Sequence, residues 1–281
     1  MTVAQQAADL GLHRVGARPP LASYLKQTWG RRQFIVKMAQ FRLRAGLEDN
    51  RLGVVWLLLQ PVLNALVYGT IFYFLQSDRR PQDYVAHVVI GVFLFQFFSQ
   101  SLSDGAKSIT GNQALVQSLS FPRLTLPLAE VMENFLSLLP SIGLLLVILP
   151  FLGHWPTWEW LLLVPLLALY TLFNAGVAMI AARLTVHVRD LTQVLPFVSR
   201  ILFYTSGVLF DVNRIFNAYP WVITLYDFHP LYQVLEMARA ALMGGHTYNP
   251  NYWIYFSSYA VVTFIIGLVF FWVAEERYGR D

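Results

Sequence analysis

The stretch GVVWLLLQPVLNALVYGTIFYFL, residues 53–75, runs for 23 residues without a single charged side chain. A helix of about 20 apolar residues spans the hydrocarbon core of a bilayer, because each residue adds about 1.5 Å of length. Five further segments share this length and character. The sequence therefore predicts an all-α integral membrane protein with six transmembrane helices, at residues 54–75, 84–102, 127–152, 158–182, 191–210 and 252–274.

The composition supports a membrane location. Of the 281 residues, 56% are hydrophobic and 13% are charged, whereas charged residues make up about 25% of a typical soluble domain. The alternative, a soluble protein with several buried helices, fits this composition poorly. The chain has 0 cysteines, which excludes disulfides and thiolate metal sites.

The distribution of positive charge predicts the orientation. Of the 20 lysine and arginine residues, fifteen lie on the same side of the predicted spans as the amino terminus. Because such residues concentrate on the cytosolic side, we expect a multi-pass protein of the cytoplasmic (inner) membrane with both termini in the cytosol. The net charge of +4 then reflects topology and not a nucleic-acid partner. Residues 1–23 are predicted to be a disordered cytosolic tail, and residues 24–281 the transmembrane domain.

Residues 24–43 carry a partial amphipathic pattern. Lysines and arginines occupy one helical face, but Arg32 interrupts the apolar face. The pattern predicts a basic, amphipathic interfacial helix, with a merely solvated charged arm as the alternative. The apolar face is formed by Leu25, Trp29, Val36 and Leu43.

Two shorter apolar stretches separate the last two predicted spans. They read RIFNAYPWVITLY (214–226) and HPLYQVLEMARAALMGG (229–245). Each is too short to cross a bilayer, and a proline at a first helical turn can begin a helix, as Pro220 and Pro230 would. We therefore expect two short re-entrant helices on the outer side.

The sequence offers no catalytic constellation. It contains no P-loop, no H-E-x-x-H and no G-x-S-x-G motif, and its histidines are scattered. We expect no cofactor and no metal site on this chain. An integral-membrane enzyme, such as a lipid-linked glycosyl or acyl transferase, would need clustered acids or histidines at a cavity.

Polar turns after the second and fourth spans, residues 104–127 and 183–193, interrupt the apolar pattern. The first predicts a short amphipathic helix that ends before Pro122. Both turns carry more apolar and charged groups than a simple connection needs. They indicate a docking surface for a partner, with ordinary connectors as the alternative.

Four stretches in this order resemble the ABC-2 type permeases that export polysaccharides. They are GVVWLLLQPVLNALVYGTIFYFL, SFPRLTLPLAEV, RDLTQVLPFV and HPLYQVLEMARAALMGG. Leu59-Gln60-Pro61, Phe121-Pro122-Arg123 and Arg189-Asp190 match the family's motifs. The chain departs from the family at His229, where asparagine is frequent, and at Ser206-Gly207, where a proline is frequent.

The resemblance implies a transport subunit that is not itself an enzyme. Two permeases would form a homodimer with the channel between them, and two copies of a cytosolic ATPase would bind ATP and Mg²⁺. The substrate would be a polyprenyl-pyrophosphate-linked polysaccharide, such as an O-antigen (lipopolysaccharide), capsule, teichoic acid or galactan chain, taken from the membrane lipid. An ABC-2 exporter of drugs or lipids has the same subunit plan and remains an alternative.

By the same resemblance, residues acquire expected roles. The coupling surface for the ATPase would comprise Asn112, Leu115, Leu119, Phe121, Arg123, Arg183, His187, Arg189 and Asp190. The channel residues are predicted from side-chain chemistry instead: aromatic faces pack on the C–H surfaces of sugars, although most aromatic residues of a membrane protein face lipid or the interfaces. The predicted channel and substrate contacts are Trp56, Phe72, Phe197, Arg200, Phe203 and Tyr204. The outer gate would comprise Trp221, His229, Pro230 and Arg239.

Arg200 lies within the fifth predicted span, where an unpaired arginine costs about 3 kcal/mol. Counted along the helices from Asp190 and from Arg123, Arg200 and Glu133 lie at similar depth. We therefore predict an intramembrane pair of Arg200 with Glu133, or with Glu130 one turn away. The alternatives are contact with the lipid pyrophosphate and snorkelling to the interface.

Overall fold

The fold is a bundle of α-helices, described by a computed structural model over residues 19–48, 53, 55–76, 81, 83–118 and 121–275. All regular elements in these ranges are helical. Two short 3₁₀ segments occur, at Thr110–Asn112 and Trp158–Leu162. The α-helices are α1 Leu21–Gly30, α2 Arg32–Glu48, α3 Val55–Gln76, α4 Tyr84–Lys107, α5 Gln113–Ser118, α6 Thr125–Phe151, α7 Leu163–His187, α8 Leu191–Thr205, α9 Val212–Ile215, α10 Pro220–Asp227, α11 Pro230–Leu242 and α12 Tyr252–Val273.

Five helical segments within the described ranges are long and apolar enough to cross a membrane. They are α3, α4, α6, α12 and α7 together with the 3₁₀ segment that precedes it. Each coincides with a predicted span, so the prediction of an all-α membrane protein is confirmed. The most buried of the five is α4, which lies at the centre of the bundle.

The fifth predicted span is shorter than expected. The helix α8 has 15 residues and ends at Thr205, so it measures about 22 Å, less than the roughly 30 Å hydrocarbon core. The backbone turns at Gly207, whose φ of +71° favours glycine. The Gln76 amide donates to the Leu209 carbonyl oxygen at 2.8 Å. The chain beyond α8 therefore reaches the level at which α3 ends.

The helices α7 and α12 pack closely because small residues meet at their crossing. A Cβ atom added to Gly267 would lie 2.5 Å from the Gly176 carbonyl oxygen. A side chain at this position would push the two backbones apart.

The predicted interfacial segment forms two helices, α1 and α2, which are fixed to the end of the bundle at which Glu275 lies; their position at the membrane interface remains a prediction. The Tyr24 hydroxyl donates to Glu275 Oε2 at 2.6 Å and accepts from the Leu124 N–H at 3.1 Å. The Arg123 guanidinium donates to the Glu275 carbonyl oxygen at 2.6 Å. Because α1 begins at Leu21, residues 21–23 belong to this helix and not to the predicted tail; residues 1–18 lie outside the described part.

The two predicted outer helices correspond to α10 and α11. Each begins with its proline, Pro220 and Pro230, in the first turn. Residues of α11 are buried from Leu231 to Leu242 against α4, α7 and α12. This helix therefore lies within the protein at the end of the bundle opposite Glu275. Placement within the membrane remains a prediction for both helices.

Candidate functional site

A polar furrow runs along the side of the bundle between α3, α4 and α8. Its cavity has a volume of about 300 Å³. Side chains that could donate or accept hydrogen bonds line most of it, although the surrounding helices are apolar. The hydrogen-bonding side chains that line this polar furrow are Gln60, Asn64, Tyr68, Gln96, Ser99, Gln100, Ser103, Ser199 and Arg200.

Helical spacing explains why these side chains converge. Residues three, four and seven apart share one face of a helix, and the polar residues of α4 from Gln96 to Ser103 follow that spacing. On α3, Gln60 and Asn64 are four residues apart. This polar stripe was not among the predicted site residues, although its period is present in the sequence.

The floor of the furrow joins α4 to α8. The hydroxyl oxygens of Ser99 and Ser199 lie 2.6 Å apart and form a hydrogen bond. Nearby, Gln96 Oε1 is buried without a hydrogen-bond partner in the described part of the protein. A buried amide oxygen without a partner costs free energy, so this atom favours a ligand or water in the furrow.

Arg200 lies at the rim of the furrow with its side chain exposed. No carboxylate of the described residues lies within 4.0 Å of it. The predicted pair of Arg200 with Glu133 or Glu130 is therefore wrong. Instead, Glu130 forms its ion pair with Arg42 of α2. The prediction compared positions along the membrane spans only. It did not include α2, which carries Arg42 and packs across the end of α6.

Aromatic rings continue the furrow beyond Arg200. Phe203 lies 5.1 Å from Tyr68 between ring centroids, and Tyr204 lies 6.3 Å from Phe72. Three of the expected channel aromatics are thus brought together. Trp56 lines a smaller adjoining cavity that shares Gln60, Gln96 and Gln100 with the furrow.

Phe197 is placed differently from the other expected channel residues. Its side chain is 66% exposed and does not line the furrow. It lies on the outward side of α8 and packs against no ring of the cluster beyond Arg200 in the described part of the protein.

The first expected coupling element forms the short helix α5, as predicted, after a 3₁₀ turn that ends at Asn112. The Asn112 amide donates to the Ser108 carbonyl oxygen at 2.8 Å, and its Oδ1 accepts from Arg42 at 2.9 Å. Leu115 and Phe121 are half-buried. Leu119 lies outside the described residues.

The second expected element is the turn between α7 and α8, where His187, Arg189 and Asp190 are exposed. Arg183 differs from them, because its guanidinium donates to the Phe270 carbonyl oxygen and lies over the Phe270 ring, 3.7 Å from the centroid. Arg183 therefore contacts α12 within the bundle. The exposed part of the turn begins at His187.

Arg239, expected at the outer gate, is fully buried. Its guanidinium donates to Glu236 at 2.8 Å and to the carbonyl oxygens of Gly207 and Val208 at 2.9 and 3.1 Å. His246 Nε2 lies 2.8 Å from the other Glu236 oxygen. Arg239 thus ties α11 to the turn after α8. Glu236 was not among the predicted site residues, although it lies three residues from Arg239 on a largely apolar helix.

The other expected gate residues lie around the start of α11. His229 precedes Pro230, and its Nδ1 accepts from the Tyr232 N–H at 3.2 Å, which caps the helix. Burial lowers the pKa of His229, so the neutral ring that can accept this bond is favoured. Trp221 on α10 is 66% exposed.

Helices of membrane-spanning length around a polar furrow define a multi-pass membrane protein of the transporter class. The chain belongs to the ABC-2 type transporter family, whose model matches residues 33–243. Members of this family are transport components that work with an ATPase partner. The matched region begins in α2 and ends directly after α11.

Curated relatives agree with this membership. The chain is 27% identical over 241 residues to the O-antigen export system permease protein RfbA of Klebsiella pneumoniae, covering 85% of this chain and 90% of the relative. It is 26% identical over 191 residues to RfbA of Myxococcus xanthus, covering 68% and 73%. It is 25% identical over 236 residues to the polysialic acid transport protein KpsM of Escherichia coli, covering 83% and 90%.

Proposed function

We propose that this chain is the membrane-spanning permease of an ABC exporter that moves a lipid-linked polysaccharide out of the cytosol. The polar furrow between α3, α4 and α8 is the observation that carries the proposal. The similar RfbA and KpsM proteins are named for the export of O-antigen and for polysialic acid transport. Their difference in glycan leaves the polysaccharide of this chain unidentified.

The furrow has the chemistry that a sugar chain needs. Amide and hydroxyl groups such as those of Gln96, Gln100 and Ser103 can exchange hydrogen bonds with sugar hydroxyls. The rings of Tyr68 and Phe203 offer apolar faces for the C–H surfaces of a pyranose. Many weak and similar contacts along a path favour passage of a polymer over tight binding.

Arg200 is the group with which we expect the lipid pyrophosphate to pair. A guanidinium binds two phosphate oxygens at once, and the furrow provides Arg200 with no carboxylate among the described residues. In the proposed orientation, α8 enters the membrane from the cytosolic turn at Arg189-Asp190. The pyrophosphate of a polyprenyl carrier would meet Arg200 as the sugar enters.

The complete channel would require a second copy of this chain. The furrow is open on one side, and α3 exposes large apolar side chains such as Leu66 and Phe74, which are 60% and 76% exposed. A homodimer would close the furrow with a second furrow. Lipid would cover the remaining apolar surface.

Energy would come from two copies of a cytosolic ATPase that bind ATP and Mg²⁺. They would dock on α5 and on the turn from His187 to Asp190. This orientation places both termini in the cytosol and the chain in the cytoplasmic membrane. The positive charge near Glu275, including Arg42 and Arg123, agrees with it.

The proposal is tested in a strain from which the gene for this chain has been deleted. Deletion should remove the polysaccharide from the cell surface and leave it inside the cell. Complementation with Arg200→Gln should restore at most a tenth of surface export, whereas Arg200→Lys should restore part of it. Arg214→Gln, which changes an exposed arginine outside the furrow, is the matched control and should restore all of it.

Two results would contradict the proposal. Normal surface polysaccharide in the deletion strain would overturn the function. Full export by Arg200→Gln would remove Arg200 from the path and leave the rest of the furrow to be tested separately.

A further inference from the structure

A second cavity lies on the other side of the bundle, between the interfacial helices and α6, α7 and α12. Its volume is about 440 Å³. None of the residues that line it lines the polar furrow. We call it the interfacial groove, and its walls are almost wholly apolar: Leu25, Ile35, Leu128, Val131, Ala175 and Phe264.

One charged residue, Arg32, lines this groove. Arg32 is the residue that interrupts the apolar face of the predicted amphipathic helix. The structure places its guanidinium 5.7 Å from the centroid of the Trp29 ring, with Nη1 donating to the Trp29 carbonyl oxygen at 3.3 Å. No carboxylate among the described residues lies within 4.0 Å of Arg32. The positive charge at the groove is therefore available to an anion.

The depth of the groove matches one leaflet of a bilayer. Tyr24, one residue before Leu25 of the groove, is bonded to Glu275 where α12 ends. Phe264 lies eleven residues before Glu275, or about 16 Å along a helix. The hydrocarbon core is roughly 30 Å thick, so the groove extends from the membrane surface to about the midplane.

We propose that the interfacial groove binds a phospholipid of this leaflet, with one acyl chain in the cavity and an anionic headgroup on Arg32. An apolar cavity of about 150 Å³ holds a benzene ring, so by proportion this groove has room for about 18 carbon atoms. That is one phospholipid acyl chain, and the longer tail of a polyprenyl carrier would exceed it. A phosphate paired with a guanidinium satisfies both charges.

The bound lipid would fix the interfacial helices to the bundle. The same helix pair carries Arg42, which holds Asn112 at the start of the coupling element. Filling the groove would therefore stabilise the position from which Arg42 acts. The site takes a membrane lipid and is independent of the exported molecule.

The test measures lipid binding to the purified full chain in detergent. The probes are dioleoyl phosphatidylglycerol, which is anionic, and dioleoyl phosphatidylcholine, which has the same tails and no net charge. Native mass spectrometry should show one phosphatidylglycerol per chain, bound about tenfold more tightly than phosphatidylcholine, because a charged hydrogen bond is gained. At saturation the melting temperature should rise by about 5 °C.

Matched variants test the charge of the site and its apolar cavity separately. Arg32→Gln should reduce phosphatidylglycerol affinity to that of phosphatidylcholine, while Arg31→Gln, which alters an exposed neighbour outside the groove, should leave it unchanged. Met132→Trp should fill the groove from α6 and abolish binding of both lipids. Leu139→Trp, at an exposed site on the same helix, is its control.

Equal binding of the two lipids, or unchanged binding in Arg32→Gln or in Met132→Trp, would overturn the proposal. So would displacement of phosphatidylglycerol by an equimolar polyprenyl phosphate, since the groove would then belong to the carrier. One variant removes the charge and the other fills the cavity, so either remains decisive if the other cannot be purified.

Discussion

Ser99 of α4 and Ser199 of α8 meet hydroxyl to hydroxyl, 2.6 Å apart. This bond joins the most buried of the five membrane-spanning helices to the short helix that carries Arg200. It lies at the floor of the polar furrow, beside the unpartnered oxygen of Gln96. A movement of α8 relative to α4 would therefore widen or close the furrow at Arg200.

The ion pair of Arg42 with Glu130 should stabilise the protein. Arg200, which has no carboxylate partner among the described residues, should not. Arg42→Gln and Glu130→Gln each leave a partly buried charge without its partner, and each should cost about 1–3 kcal/mol. The double variant should recover much of this loss. Arg44→Gln, at an exposed site on the same helix, is the control. The melting temperature of each of the four variants is measured by tryptophan fluorescence. If both single variants were as stable as the native protein, the pairing would be contradicted.

Glu236 should make stability depend on acid pH. Burial works to raise its pKa, but the hydrogen bond with His246 and the charge of Arg239 outweigh burial and hold the pKa at about 2. The unfolded value is about 4.3, so the ionised group contributes stability that is present above the unfolded value. This contribution is lost as the pH falls from about 4.5 toward 2.

The comparison of the native protein with Glu236→Gln measures this contribution. The difference in melting temperature should be greatest at pH 7 and shrink as the pH falls below about 4.5. Glu159→Gln, outside the buried cluster at an exposed position, should show no such trend. A difference that stays constant down to pH 3 would contradict the assignment.

The crossing of α7 and α12 should reject any side chain at Gly267. A Cβ there would lie 2.5 Å from the Gly176 carbonyl oxygen, so Gly267→Ala should destabilise the fold by about 1–3 kcal/mol through overpacking. Gly143→Ala, within α6 and with nothing within 4 Å of its added Cβ, should stabilise by about 0.5–1 kcal/mol. Denaturation of both variants measures the contrast, and a stable Gly267→Ala would show that the helices can separate without cost.

Charge reversal at Arg189 and Asp190 should uncouple the ATPase from export. Both side chains are exposed, so a double reversal should change the stability of the chain by less than about 0.5 kcal/mol. In the complex with the ATPase, hydrolysis should continue while export falls. Reversal of exposed Arg214 is the control, and normal export by the double variant would contradict docking at this turn.

The fold was largely predictable because membrane spans depend on local composition. A run of apolar residues such as 53–75 predicts a helix whatever its neighbours are, and Pro220 and Pro230 marked where the outer helices begin. The end of α8 was not predictable from hydropathy, because Val208, Leu209 and Phe210 continue the apolar pattern. The turn at Gly207 is held by a distant helix, because the Arg239 guanidinium donates to the Gly207 carbonyl oxygen.

The site was predictable only in part, because charge partners depend on which helices pack together. Arg200 was found because a charge within a span is unusual, and Phe203 and Tyr204 because aromatic faces pack on sugars. The partner of Glu130 came from an interfacial helix 88 positions away, which no depth count along the spans includes. The polar stripe of α4 was present in the sequence, but its meaning came from the facing stripe of α3.

The most direct test of the account is blockage of the furrow. The chain has 0 native cysteines, so Ser103→Cys and Asn64→Cys can be modified singly in cells with a bulky, membrane-permeant thiol reagent while export is running. The account predicts that modification of either furrow position abolishes export of the polysaccharide. The same treatment of Val147→Cys, at an exposed position outside the furrow, should leave export unchanged. Undiminished export after complete modification of Ser103→Cys and Asn64→Cys would contradict the claim that the polysaccharide passes along the furrow.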